Sequence, residues 1–413
     1  MEIRSITFFC QPGFPVNKLV LQKAGIFIRH AKMVFEQAGY PVQTLRLATP
    51  PFAIYLSPDT YIVGAQTLMF EAHGEGFDYA SIGPALPDIP ATYEIIPDIL
   101  ASTKNLFVSA LTTTKNGALS QPAIHACAKV IQAASTLESD GFANLRFAAL
   151  ANVPPFAPFF PAAYSEGTQP AFALALEAAD LAISAFSQAE SLTEAKQVLI
   201  QSIEMHARKL EQVSEKLSSM YHFDFKGLDF TLAPYPKPET SIGTALERLG
   251  LAAVGLHGSL AAATFITDTL DQVQYKRCGF NGLMLPVLED AILAKRAAEG
   301  VLSVSDLLLY SAVCGTGLDV IPLPGDCSKE QLYAVLLDLS ALALRLDKPL
   351  TARLMPLPGK MAGDPTNFDF AYFANSRVLS LNAAPLSGLL NGQETLKISA
   401  RSQLDVGIRK RIN

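Results

Sequence analysis

The 413-residue sequence predicts an α/β protein in which short buried strands alternate with helices along almost the whole chain. Two patterns support this class: short apolar runs that end at proline or glycine, and serine caps that open helices. The composition agrees, because 50% of the residues are hydrophobic and only 17% are charged. Such a chain has a thick interior or hides surface in an oligomer, and it is too apolar to be intrinsically disordered.

The apolar runs have the character of strands that are buried on both faces. Apolar and polar residues do not alternate within them, which is typical of parallel or barrel sheets. Proline marks the end of a run because it cannot extend a central ladder of hydrogen bonds. The predicted strands comprise residues 79–84, 145–154, 228–234, 320–324 and 350–356.

Two capping-box patterns place the main helices. Ser191 with Glu194 opens a long helix, and Ser328 with Gln331 opens a second helix that is apolar nearly all round. Further helices are predicted over residues 240–249 and 258–270. The apolar stripe of the first helix recurs at spacings of three and four and is formed by Leu199, Ile203, His206, Leu210, Val213 and Leu217.

The chain has no fixed-period repeat and no Ser/Gly linker, so we expect one domain over residues 1–385 and a C-terminal extension over 386–413.

A net charge of −6 disfavours nucleic-acid binding. The sequence predicts no membrane span and no signal peptide. Five cysteines without a CxxC pair favour a reducing, cytoplasmic setting. The low charged fraction favours a homo-oligomer.

Polar side chains concentrate in the turns between residues 311 and 377. Ligand sites of α/β sheets lie beyond the carboxyl ends of strands, so we expect the site there. Cys314, surrounded by small residues, is a candidate nucleophile or hydrogen donor, or simply a small buried residue. Asp326 precedes a capped helix and suits either a helix terminus or a ligand site.

The remaining candidates follow on the next predicted strand and turn. Two interpretations stay open for this set: an internal ion-pair network, or a pocket for a small anionic metabolite. In the pocket hypothesis Arg353 and Arg377 orient the anion, and Lys360, Asn375 and Asp326 assist them. Asp369 or Cys314 transfers a proton. Asp326 and Asp364 are candidate ligands of a divalent metal.

Several segments resemble the prokaryotic family called domain of unknown function 711. They are SAVCGTGLDVIPLPGD, DKPLTARLMPLPGKMAGDPTNFDF, YFANSRV, GFNGLMLPVLED, APFFPAAY, YASIGPAL and the opening EIRSIT, and the match extends from about residue 2 to about 382. The resemblance implies the fold of glycyl radical enzymes such as pyruvate formate-lyase. That fold is a ten-stranded α/β barrel with surrounding helices, built from two five-stranded parallel halves that run antiparallel to one another.

The sequence departs from true glycyl radical enzymes. Their C-terminal motif needs a radical glycine, and the nearest run here, Arg377–Leu381, has serine in its place. There is also no adjacent cysteine pair, so we predict no glycyl radical.

The leading hypothesis is a barrel protein that binds a small anionic metabolite in an enclosed pocket, and whether it is a non-radical enzyme stays open. The alternatives are a catalytically inactive binding or scaffold protein and, more weakly, a glycosidase-like carboxylate pair.

Overall fold

The computed structural model describes residues 1–401 as a mixed α/β protein with a nine-stranded sheet and a small two-stranded sheet. In chain order the strands are β1 (Glu2–Phe9), β2 (Val42–Ala48), β3 (Tyr79–Ala85), β4 (Leu106–Leu111), β5 (Ala118–Ser120), β6 (Phe147–Ala151), β7 (Ala171–Glu177), β8 (Asp224–Ala233), β9 (Gly317–Pro324), β10 (Leu350–Leu357) and β11 (Thr395–Lys397).

Helices connect most of these strands. They are α1 (Lys18–Gln37), α2 (Tyr61–Gly74), α3 (Ala91–Glu94), α4 (Ile96–Ser102), α5 (Gln121–Ser135), α6 (Ala179–Gln188), α7 (Leu192–Tyr221), α8 (Ile242–Arg248), α9 (Ser259–Gln272), α10 (Ala291–Ala298), α11 (Val304–Tyr310) and α12 (Lys329–Leu346). None of them, within the described part of the chain, has both the length and the apolar character that crossing a membrane requires.

The predicted strands and helices are confirmed within a few residues. The five predicted runs correspond to β3, β6, β8, β9 and β10, and the long capped helices to α7 and α12. The side chain of Ser191 accepts a hydrogen bond from the amide of Glu194, and Ser328 and Gln331 form a complete capping box. Asp326 is an exposed residue two positions before that cap, so the structure corrects its interpretation as a helix-terminal residue.

Strand direction divides the large sheet into a centre and two flanks. The five central strands run parallel in the order β1-β2-β3-β4-β6. On one side β7 pairs antiparallel with β1 and β8 follows it, and on the other side β10 pairs antiparallel with β6 and β9 follows it. The four flanking strands therefore direct their carboxyl ends toward the edge where the central strands begin. The sequence predicted the α/β class correctly, but this sheet has nine strands where the resemblance implied ten.

One irregular segment contacts both outer strands. Arg277 forms a parallel bridge with Leu228 of β8, and Pro286 forms one with Asp319 of β9. Asp229 fixes the turn between them, because its carboxylate accepts hydrogen bonds from the amides of Phe280 and Asn281 at 2.7 and 2.9 Å. Residues 277–286 thus lie against β8 at one end and against β9 at the other.

The loop over residues 152–165 covers the face of the sheet that lies away from the main helical core. Phe160 packs with Phe9 and Phe107, and Phe159 packs with Met284 of the irregular segment. The hydroxyl of Thr7 on β1 donates a hydrogen bond of 2.8 Å to the carbonyl of Pro158. This aromatic loop therefore forms one wall of the space beside the central strands.

The described part of the C-terminal extension packs against the domain. Its strand β11 pairs antiparallel with β5, and the hydroxyl of Tyr333 on α12 donates a hydrogen bond of 2.7 Å to the carbonyl of Leu390. Residues 402–413 of the predicted extension lie outside the described residues.

A test of the irregular segment follows from the contact between Gly282 and Gly315. A Cβ atom on Gly282 would lie 2.3 Å from the Cα of Gly315, so backbone would have to move. We expect Gly282→Ala to lower the free energy of unfolding in urea by about 1–3 kcal/mol, as overpacking does. Gly74→Ala is the control, because nothing lies within 4 Å of the Cβ that it adds. Equal stability of the two variants would contradict this packing.

Candidate functional site

A cavity of about 170 Å³ lies at the edge where the central strands begin and the flanking strands end. Polar and aromatic side chains from both groups of strands meet there because the flanks run antiparallel to the centre. Its lining residues are Arg4, Thr44, Arg46, Tyr79, Lys104, Asn105, Phe107, Phe142, Leu145, Arg146, Phe159, Phe160, Met284, Glu289, Arg353, Phe370 and Tyr372. The exposed residues among them, Lys104 and Asn105, mark where the cavity reaches the surface.

A chain of ion pairs forms one side of this cavity. Arg4 on β1 contacts Glu177 at the end of β7 at 3.1 Å and Glu289 at 2.5 Å. Arg353 on β10 contacts Glu289 at 2.9 Å and Asp319 on β9 at 2.6 Å. All five residues are buried. We call this set the buried ion-pair chain.

The pKa shifts of the three carboxyl groups show how strongly the neighbouring arginines stabilise each charged form. Burial alone would raise the pKa of Glu289, but the guanidinium groups of Arg353 and Arg4 lower it below its ordinary value. At the two ends burial prevails and raises the pKa of Glu177 and of Asp319. The arginines therefore stabilise the charged form most at Glu289, the central carboxyl group, which contacts both of them.

Arg46 on β2 lies beside this chain and differs from its two arginines. Its Nε atom donates a hydrogen bond of 2.9 Å to the hydroxyl of Thr44. Across residues 1–401, no carboxylate lies within 4 Å of its guanidinium group. Burial, together with the nearby charge of Arg4, lowers the pKa of Arg46 to about 10, which leaves it charged at neutral pH. The cavity therefore presents a cation without an ion-pair partner among the described residues.

Aromatic rings surround this cation. The guanidinium carbon of Arg46 lies 5.1 Å from the ring centre of Phe160 and 6.0 Å from that of Tyr79, within the range of cation–π contacts. Phe107 packs edge-to-face against both rings. On the opposite wall the ring of Tyr372 lies 5.5 Å from the guanidinium carbon of Arg4. The site therefore combines an accessible positive charge with flat apolar walls.

Two further cations, Arg146 and Lys104, line the cavity and differ in burial and in their contacts with the protein. Arg146 already has partners within the protein, because it donates hydrogen bonds to the carbonyls of Leu100 and Thr103 and contacts the carboxylate of Glu138 at 3.2 Å. Lys104 is exposed at the mouth. A surface lysine of this kind attracts anions from solution but is strongly hydrated, so Arg46 is the better anchor inside the cavity.

Of the site residues predicted from the sequence, Arg353 lines this cavity and the others do not. Cys314 is fully buried in the main helical core. Asp326, Asp369 and Arg377 are exposed. Apart from Arg353, these side chains do not meet at this cavity, because most of them belong to surface turns, and their role in a site stays a prediction.

Three of the predicted polar residues shape a loop that reaches the cavity. The amine of Lys360 donates a hydrogen bond of 2.6 Å to the carbonyl of Pro365, and the carboxylate of Asp364 accepts one of 2.7 Å from the amide of Met361. The amide of Phe368 donates a hydrogen bond of 2.8 Å to Asn375. This loop over residues 358–378 supplies Phe370 and Tyr372 to the wall, so its polar residues act on the cavity through the backbone.

No group of three or more His, Cys, Asp or Glu side chains that could hold a metal ion occurs in residues 1–401. Asp326 and Asp364, the predicted metal ligands, are accordingly not part of such a group.

The sequence contained a signal for the arginines that were overlooked. Arg4 and Arg46 each interrupt an apolar strand, in EIRSITFF and VQTLRLA, just as Arg353 interrupts LTARLMPL. A cation within a buried strand requires a partner or a ligand. Applying this argument to all strands, and not only to the last third of the chain, would have found all three arginines.

These observations define a mixed α/β protein with a cavity of charged and aromatic side chains beside its sheet, and comparison with known proteins assigns its family. The family model described as "Uncharacterised ACR (DUF711)" matches residues 1–376. A UPF0210 protein of Pyrobaculum arsenaticum is 31% identical over 359 residues, which cover 81% of this chain and 78% of the relative. UPF0210 proteins of Methanococcoides burtonii and Syntrophobacter fumaroxidans are 28% and 27% identical, and each alignment covers 89% of this chain and 88% of the relative. The chain belongs to this family, as the sequence motifs indicated.

The buried ion-pair chain makes a prediction about stability. Arg353→Met leaves Glu289 with one guanidinium partner and Asp319 with none, in a buried setting. We expect the free energy of unfolding, measured in urea, to fall by about 3–5 kcal/mol. Arg377→Met is the matched control, because Arg377 is exposed, and we expect its effect to stay within about 0.5 kcal/mol. Similar losses in both variants would show that the ion-pair chain does not stabilise the fold.

Proposed function

We propose that this protein binds a small organic anion in the cavity and that Arg46 is the group that holds the anion. The observation that supports this proposal most strongly is the contrast between three neighbouring arginines. Arg4 and Arg353 each contact two carboxylates, whereas the hydrogen bond that Arg46 makes within the described residues goes to a neutral hydroxyl. A planar guanidinium group facing a cavity is well suited to bind a carboxylate with two parallel hydrogen bonds.

The ion-pair chain supports this function without taking part in it directly. It holds Arg4, Arg353 and Glu289 in fixed positions around the cavity, so the binding site needs little rearrangement when a ligand enters. The protein walls exclude water from the inner part of the cavity, and the lower effective dielectric there strengthens the attraction between Arg46 and an incoming anion.

We also propose that the cavity lies inside a closed barrel. The irregular segment over residues 277–286 bridges β8 at one end and β9 at the other, and these are the two outer strands of the sheet. If it acts as a tenth strand, the sheet closes into two five-stranded halves of opposite direction. This arrangement agrees with the fold that the resemblance to glycyl radical enzymes implies.

The alternative function is a scaffold or binding protein without a ligand in this cavity. Such a protein would pair its buried acids and bases only with one another, and the buried ion-pair chain alone would fit that description. Arg46 favours ligand binding over this alternative. The proposal assigns no role in the cavity to Cys314 or Asp369, which lie elsewhere, and the homo-oligomer stays a prediction.

The proposed function is tested by anion binding to Arg46 variants. Isothermal titration calorimetry with acetate, lactate, benzoate and succinate should detect at least one ligand of the wild-type protein, and that ligand should also raise Tm. Loss of a charged hydrogen-bond donor typically costs about 1.5–3 kcal/mol, so we expect Arg46→Gln to weaken binding by about 10- to 150-fold.

Arg377→Gln is the control for a lost positive charge and should bind like the wild type, because Arg377 is exposed outside the cavity. Circular dichroism should show that both variants are folded. The proposal fails if none of the four anions binds, or if Arg46→Gln binds as tightly as the wild type.

A further inference from the structure

We infer that the ligand of this cavity is a planar aromatic monocarboxylate of about the size of benzoate. This inference rests on the proposed function, because it takes Arg46 as the group that holds the anion. It adds three properties of the ligand, namely its size, the shape of its apolar body and its charge. Each property follows from a separate feature of the cavity walls.

The size follows from the volume. The cavity measures about 170 Å³. A protein cavity of about 150 Å³ accepts benzene, so a six-membered ring fills most of the space here. The carboxylate of the ligand then lies beside Arg46. Acetate would leave the remaining space without contacts, whereas benzoate would fill most of it.

The aromatic body follows from the composition of the walls. Seven of the lining side chains are Phe or Tyr, namely Tyr79, Phe107, Phe142, Phe159, Phe160, Phe370 and Tyr372. Several of these rings already meet edge-to-face, for example Tyr79 with Phe107 and Phe142 with Phe370. A further planar ring extends such packing, because aromatic rings attract one another edge-to-face and in offset stacks. A saturated ring of equal size is thicker and lacks this attraction.

The single negative charge follows from the neighbouring charges. Arg46 is the one guanidinium group of the three that has no carboxylate within 4 Å in residues 1–401. The other arginines of the lining, Arg4, Arg146 and Arg353, each already contact a carboxylate of the protein. A second carboxylate on the ligand would therefore find no further unpaired arginine among the described residues that line the cavity, and it would meet the carboxylate of Glu289.

The experiment compares benzoate with four probes that each change one property. Cyclohexanecarboxylate keeps the charge and loses planarity, terephthalate adds a second charge, benzamide removes the charge, and acetate removes the ring. By calorimetry on the full-length protein, we expect benzoate to bind at least tenfold more tightly than terephthalate, benzamide or acetate, and about threefold to tenfold more tightly than cyclohexanecarboxylate.

Variants of the wall give an independent measurement. Phe370 is half-buried on the loop of the cavity wall, and Phe70 is 77% exposed on α2. We expect Phe370→Leu to weaken benzoate binding about threefold to tenfold and Phe70→Leu to leave it unchanged, with both variants folded by circular dichroism.

The possible failures separate this inference from the proposed function. If acetate or terephthalate binds as tightly as benzoate and Arg46→Gln still weakens binding by about tenfold or more, the ligand class is wrong and anion binding at Arg46 stands. If cyclohexanecarboxylate binds as tightly as benzoate, the aromatic body is wrong. If no probe binds the wild-type protein, both the ligand class and the proposed function are wrong.

Discussion

The site depends on the ion pairs that hold buried arginines beside a sheet. A guanidinium group removed from water is costly unless a carboxylate compensates it. Here Glu289 lies between Arg4 on β1 and Arg353 on β10 and contacts both. One carboxylate therefore joins two strands that lie toward opposite sides of the sheet. Arg46 remains outside this arrangement. The contrast between compensated and uncompensated arginines distinguishes a structural network from a binding site.

Strand direction explains why these groups meet. The flanking strands run antiparallel to the central five, so Glu177 at the end of β7 reaches Arg4 near the start of β1. The irregular segment over residues 277–286 and the residues directly after it bring Met284 and Glu289 to the same place. A sheet with a single strand direction would separate these residues, because the beginnings and the ends of its strands lie at opposite edges.

The sequence predicted the α/β class, several strands and the capped helices because these depend on local patterns. The apolar run before Pro324 and the capping box at Ser328 are complete within a few residues. The cavity depends on contacts between residues that are far apart, such as Arg4 and Glu289, 285 positions along the chain. The sequence pointed to Arg353 because a cation stood in an apolar strand. The sequence grouped Asp369 and Arg377 with Arg353, and neither of them lines this cavity, because nearness in sequence does not show that two turns face the same space.

A crystal structure of the protein soaked with benzoate would show whether Arg46 holds the anion. We expect density for the carboxylate within hydrogen-bond distance of the terminal guanidinium nitrogens of Arg46, with the ring between the walls formed by Phe160 and Phe370. The ion pairs of Glu289 with Arg4 and Arg353 should stay intact. A ligand bound at Arg353 after rupture of its pair with Glu289, or an empty cavity at saturating benzoate, would show that Arg46 is not the anion-binding group.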